Sequence, residues 1–267
     1  MSKTNSSNAF FWAVWSLFAR EVLRFLRQRS RIIGALVAPM MFWVLLGSGF
    51  GRSFQPPSLS EEIHYATYFF PGVIMMVVLF TAIFASISII EDRNEGFLQG
   101  VLVAPVSRLA IVLGKVLGGA FLGTLQGVLI LLLAPFIGIT YDVLQFFQAL
   151  GVIFLSSLGL SGLGFFLAWR MDSVQGFHAM MNILLFPMWL MSGAFFPAAG
   201  ASMWVQILMM GNPMAYGLAA MRRVLQGPEL SNALGEFQMT SSIIGMVVFV
   251  VVMLVMAAMA ASRPEKA

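Results

Sequence analysis

Apolar residues run in six long stretches, at 32–50, 66–90, 116–138, 146–169, 174–196 and 243–261, and none of them contains Asp, Glu, Lys or Arg. About 20 such residues cross a bilayer core as a helix. Backbone groups in lipid must bond within their own segment, so stretches of this length predict helices. The short alternating strands of a membrane barrel are absent. A β-branched run at 247–252 favours strand in water, but it lies inside the sixth stretch and is predicted helical. The pattern predicts an all-α integral membrane protein of six transmembrane helices.

The segments between these stretches carry pattern of their own. Residues 1–31 predict a cytoplasmic tail and an amphipathic interfacial helix. At about 100° per residue, Arg20, Arg24, Arg27 and Arg31 share one face, and Phe11, Val14, Trp15, Phe18, Val22, Phe25 and Leu26 share the other. Such a helix lies in the headgroup plane with its arginines outward, where they can also meet a cytoplasmic partner. It does not read as a cleaved signal, because arginines follow the apolar run at 9–19 and no small-residue cleavage site does.

The loop at 91–109 opens with Glu91, Asp92, Arg93 and Glu95. Phe97, Leu98, Val101 and Leu102 then fall on one helical face. Pro105 ends that short helix and Ser107 is placed to cap the next. The segment at 197–241 predicts a re-entrant hairpin on the outer side. Its first half, 198–210, is too short to span, Gly211-Asn212-Pro213 breaks the chain, and 214–225 ends in Arg222 and Arg223. Arginines there would snorkel to lipid phosphates or meet an anionic substrate headgroup. Residues 262–267 form a short tail.

Charge sets the orientation. Of 15 Lys and Arg, all but Arg52, Arg222 and Arg223 fall on the side of the termini, which the positive-inside rule makes cytoplasmic. The chain is 60% hydrophobic and 10% charged, against about 45–50% and about 25% in soluble domains. A pI near 9.9 raises nucleic acid as a partner. The basic residues do not form a patch on a soluble face, so anionic lipid is the partner expected and nucleic acid is not. With no Cys there is no thiolate metal site, and His64 and His178 fall on opposite sides, so no metal is expected.

Few polar side chains lie deep: Gln126, Ser156, Ser157, Ser161, Gln175, His178, Asn182 and Ser192. Hydrogen bonds between helices are their default role. The lack of intramembrane carboxylates argues against proton coupling and favours a bulky amphiphile. Gly119, Gly123 and Gly127 form a small-residue ridge for close packing, within one subunit or between two. Pro39, Pro71 and Pro187 mark candidate bends.

Glu91-Asp92-Arg93-x-x-Gly96, Pro105-Val106-Ser107-Arg108, Gly114-Lys115 and the later Asn212-Pro213-Met214-Ala215-Tyr216 through Arg222 resemble the motifs of the ABC type-2 exporter permeases. The pattern is most similar to the branch exporting drugs, lipo-oligosaccharides and polysaccharides. That resemblance implies a six-span domain over 32–261, with the loop at 91–109 as a coupling helix seated on a separate ATP-binding subunit. It implies that Glu91, Asp92, Arg93, Glu95, Gly96 and Phe97 make that contact, with Asp172 in a second, smaller one. It also implies an outer motif of Asn212, Pro213, Tyr216 and Arg222, two ATPase copies, a second permease copy (homodimer or paralogous heterodimer) and a bacterial inner membrane. The chain has no phosphate-binding loop of its own, so ATP and Mg would sit on the partner and no cofactor is expected here.

One alternative comes from another class. Gly159-Leu160-Ser161-Gly162 matches the serine motif of rhomboid-like intramembrane proteases, and Ser161 with His178 is a nucleophile recipe. Against it, the sixth span has no His and the second offers no His or Asn for an oxyanion site. A non-transporting assembly factor of the same fold is a further alternative.

Overall fold

The computed structural model describes residues 3–50 and 64–262, all helix and loop with no strand among them. Arg52, Arg263 and Lys266 lie outside the described residues, as does most of the C-terminal tail. Among the described residues, helix α1 (Lys3–Arg27) precedes six helical segments long and apolar enough to cross a membrane. These are α2 (Arg29–Phe50), α3 (Tyr65–Asn94), α5 (Arg108–Leu131) with its continuation to Ile137, α6 (Val143–Trp169), α7 (Val174–Trp189) with its continuation to Ala194, and α11 (Met239–Ser262). Between α3 and α5 lies α4 (Phe97–Val103); between α7 and α11 lie α8 (Met203–Met210), α9 (Pro213–Gln226) and α10 (Pro228–Ala233).

Helix α3 is the axis of the bundle. Nearly all of it is buried, packed by α2, α5, α6, α7 and α9. Its sequence is uniformly apolar rather than striped, as a helix surrounded by others requires.

Glycines on α5 set the packing on two faces. A Cβ added at Gly119 would meet the Ser161 hydroxyl at 2.8 Å, at Gly123 the Ser157 hydroxyl at 2.8 Å, and at Gly127 Ile153 at 2.8 Å. The predicted ridge is therefore filled from within the chain, by α6. On the other face, Gly114 and Gly118 admit α1, with Leu17 and Glu21 at 2.6 and 2.8 Å from such a Cβ. Only small residues let helix backbones approach this closely. Helix α6 repeats the device, receiving Phe249 of α11 over Gly159 and Met253 over Gly162.

Several boundaries differ from the sequence expectation, each for a local reason. The chain turns at Gln28, so Arg31 belongs to the first turn of α2 and not to α1. Helix α5 starts at Arg108, capped by the Ser107 hydroxyl accepting from the Ala110 amide, which puts Lys115 inside the helix. It ends at Leu131, and Pro135 starts a 3-10 turn, Ala134–Ile137. Beyond Pro187, α7 gives way to a π-type turn, Leu190–Ala194, in which Gly193 has φ +94°. Only glycine adopts that conformation without strain. Helix α10 starts at Pro228, directly after Gly227 at φ +89°.

Candidate functional site

The most elaborate polar construction among the described residues lies at the end of the bundle where α1, α4 and the N-terminus of α5 meet. Asp92, in the last turn of α3, is fully buried. Arg20 holds it from both nitrogens at 2.7 Å, and Arg24 and Lys115 also donate to it. Lys115 further donates to Glu21 at 2.9 Å and to the Ser88 hydroxyl at 3.1 Å. Arg24 reaches Glu91 and Glu95, each at 3.0 Å, and Arg31 pairs with Glu91. Four cations thus meet four anions, and the cluster is neutral. It ties α1, α2, α3 and α5 to the turn before α4. The hydrogen bond from Arg20 to Asp92, outweighing burial, pushes the Arg20 guanidinium pKa up further still.

The turn itself projects from this base. Glu95 and Gly96 are exposed, and Gly96 sits at φ +76° to cap α4. Leu98 is buried against the bundle while Phe97 stays partly exposed, its ring 3.6 Å from the Arg20 guanidinium. That is a close cation–π contact. Arg93 turns away from the cluster. It donates to the carbonyls of Trp169 (2.6 Å) and Met171 (3.0 Å) and pairs with exposed Asp172 at 3.5 Å. A cation at the C-terminus of α6 suits the helix dipole. Arg108 does the same for α11, donating to Ala261 O at 2.6 Å.

The arginine face of α1 is accordingly used inside the chain. Arg20 and Arg24 point at the acids of α3 rather than standing free, and Arg27 is exposed and outside the cluster. Glu21, Lys115 and Ser88 were not among the expected site residues. The available signal was a lone acid within an arginine-rich helix and a lone lysine just after Gly114.

At the opposite end, the expectation for Arg222 needs correction. It is fully buried and paired with Glu236, with the Tyr68 ring 4.4 Å away, so it neither snorkels to phosphates nor meets a headgroup. Arg223 bonds the carbonyl of Phe237 and the side chain of Asn232. Asn212 caps α9 by accepting from the Met214 amide, Pro213 takes the first helical position, and the Tyr216 hydroxyl donates to Met210 O at 2.7 Å.

Deep in the bundle, the Thr81 hydroxyl lies 2.9 Å from the Gln126 amide oxygen, an interhelical contact of the expected kind. Thr81→Val leaves that buried amide short of a partner. The expected cost is about 1–2 kcal/mol, read as a lower unfolding temperature in detergent. Ser161 faces Gly119, whereas His178 lines a separate cleft of about 190 Å³ with Phe84 and Asn182. The Gly159-Leu160-Ser161-Gly162 motif is accounted for by packing on both sides, and nothing in the geometry supports a protease.

The sequence model of ABC-2 type transporters matches residues 13–225, a segment that holds the charged cluster, α4 and Arg222. The chain belongs to the ABC-2 type transporter family. Members of that family are transmembrane subunits of ABC transporters without an ATPase of their own, and they work with an ATP-binding subunit. The protein named transport permease ycf38 of Cyanophora paradoxa is 27% identical, over 82% of this chain and 77% of its own. The daunorubicin resistance ABC transporter permease protein DrrB1 of Streptomyces coeruleorubidus is 25% identical, over 78% and 73%. Nodulation protein J of Rhizobium leguminosarum bv. viciae is 25% identical, over 76% and 78%. The chain is an ABC-2 integral membrane protein.

Proposed function

We propose that this chain is the permease subunit of an ATP-driven exporter that moves an amphiphile outward. The observation carrying this reading is the exposed turn Glu95-Gly96-Phe97, held by a buried charge cluster on the ends of four helices. A surface that takes a push must stand out from the bundle yet be joined rigidly to it, and this turn meets both needs. Glu95, Gly96 and Phe97 would touch the ATPase, with exposed Asp172 as a second contact. Asp92, Glu91 and Arg93 would position that surface from behind.

Two permease copies and two ATPase copies would complete the transporter, with ATP and Mg on the ATPase. The excess of Lys and Arg at the cluster's end supports placing both termini in the cytoplasm, and the Streptomyces and Rhizobium relatives support a bacterial inner membrane. The daunorubicin resistance permease among the relatives supports a bulky substrate with apolar character: a drug, glycolipid, polysaccharide or lipid.

Photocrosslinking from Phe97 in native membranes tests the reading. Capture of a soluble protein with a phosphate-binding loop is the expected result, and capture of lipid alone would overturn it. In the reconstituted pair, Gly96→Val forces a β-branched residue into the left-handed region, and Glu95→Lys reverses an exposed charge. Both are expected to insert normally and to uncouple ATP hydrolysis from transport. Coupling that stays intact in both would exclude the turn as the contact.

A further inference from the structure

Helical structure at the far end of α7 is interrupted, and an interruption releases carbonyls. After Pro187 the chain passes through the π-type turn Leu190–Ala194, with Met191 and Gly193 outside helical geometry. Carbonyls freed in an apolar bundle must find donors, because no water competes for them there. The donors here are side chains from other elements. The Tyr68 hydroxyl of α3 donates to Gly193 O at 2.8 Å. Arg222 of α9 lies 3.4 Å from the same oxygen and 3.3 Å from Tyr68 O. Trp189 Nε1 donates back to Gly72 O of α3 at 3.0 Å, and the Tyr65 hydroxyl to Phe195 O at 3.3 Å. Asn212, which caps α9, donates to Met188 O at 2.5 Å. Glu236, just before α11, closes the arrangement by pairing with Arg222 while accepting from the Ser231 hydroxyl.

One buried guanidinium therefore touches α3, the end of α7, α9 and the approach to α11. A lysine could carry the charge but not span two carbonyls and a carboxylate with a planar fork. Beside it lies a cavity of about 240 Å³ lined by Ser192, Gly193, Met209, Glu236 and Phe237.

We propose that Arg222 is a positioning residue: it clamps the broken end of α7 against α3, and this clamp keeps the far end of the bundle shut. The shutting role rests on the transport reading given above; the clamp does not.

The chain has no cysteine, so one introduced cysteine reports alone. Ser192→Cys is nearly isosteric at a buried position in the π-type turn. In lipid nanodiscs, where both faces meet the reagent, a bulky fluorescent maleimide should label it slowly. Adding Arg222→Met with Glu236→Met removes the clamp without leaving a buried charge alone, and labelling should then accelerate about tenfold or more. Arg222→Lys is the milder variant and should give a smaller rise. Glu236→Gln, which keeps the carbonyl contacts and a side-chain acceptor for Arg222, should accelerate labelling less than the double variant. Equal protection in all variants would overturn the clamp. Labelling of Glu236→Gln as fast as the double variant would overturn the carbonyl role in favour of a plain ion pair.

The shutting role has a separate readout. With the ATPase captured through Phe97 co-reconstituted, ATP and orthovanadate should change the labelling rate of the Ser192→Cys parent. A rate unmoved by nucleotide, with the clamp variants behaving as above, would overturn the shutting role and leave the clamp standing.

Discussion

Asp92→Ala is expected to destabilise the chain by about 3–5 kcal/mol, the cost of removing one partner from a buried ion cluster. The loss is large because Asp92 is shared. Arg20, Arg24 and Lys115 all donate to it, and Lys115 is itself almost fully buried. Without the carboxylate, four cations, Arg31 included, are left with three acids, Glu21, Glu91 and Glu95. Lys115→Met in the same background removes one surplus cation and should recover part of the loss. That coupling, of about 0.5–3 kcal/mol, is the quantity a double-mutant cycle measures. Equilibrium unfolding of the four proteins in mixed micelles is the experiment. A cost below about 1 kcal/mol for Asp92→Ala would mean the cluster contributes no more than exposed ion pairs do. A functional consequence follows on the proposed reading. With Asp92 gone, α1 and the turn before α4 lose their common anchor, and Asp92→Asn should weaken coupling in any protein that still folds.

Gly123→Leu should cost about 1–3 kcal/mol, the usual range for forcing extra side-chain volume into a packed interior. Its Cβ alone would stand 2.8 Å from the Ser157 hydroxyl of α6, and three further carbons have nowhere to go. The helices must separate, which also disturbs Gln126 and Thr81 one turn away. Gly151→Leu is the matched control. It lies on α6, where an added Cβ meets nothing within 4 Å, so it should fall within about 0.5 kcal/mol of the parent. Thermal unfolding of both variants in detergent, side by side, decides the matter. Equal effects would show that helix propensity, rather than the α5–α6 contact, governs the result.

Length and hydropathy placed six helices close to where they stand, because a bilayer imposes nearly the same length on every span and a single helix can satisfy its own backbone. The Ser107 cap of α5 was legible for the same local reason, since its hydroxyl acts on an amide three residues on. The end of the bundle that carries the basic residues, and the short helix near Phe97, were also in the pattern. So was the family, through motifs that keep their order along the chain.

Partners distant in sequence were not legible. Arg20 and Asp92 are separated by 72 positions and Arg222 and Tyr68 by 154, and no local pattern says which arginine finds an acid and which finds solvent. On α1, Arg20 and Arg24 look like Arg27, yet only the first two are consumed by α3. Arg222 looked like an exposed residue at a membrane rim because it ends an apolar helix beside Arg223, whereas the fold buries it under Glu236. The glycines of α5 show the same division. Their spacing announced close packing, but only the assembled bundle chose α6 for one face and α1 for the other. Sequence alone determined the presence and order of the spans, the Ser107 cap and the family, since these rest on burial in lipid and on bonds between near neighbours. Tertiary structure decided which charges neutralise one another and which carbonyls need a side-chain donor, since those depend on where helices far apart in the chain come to touch.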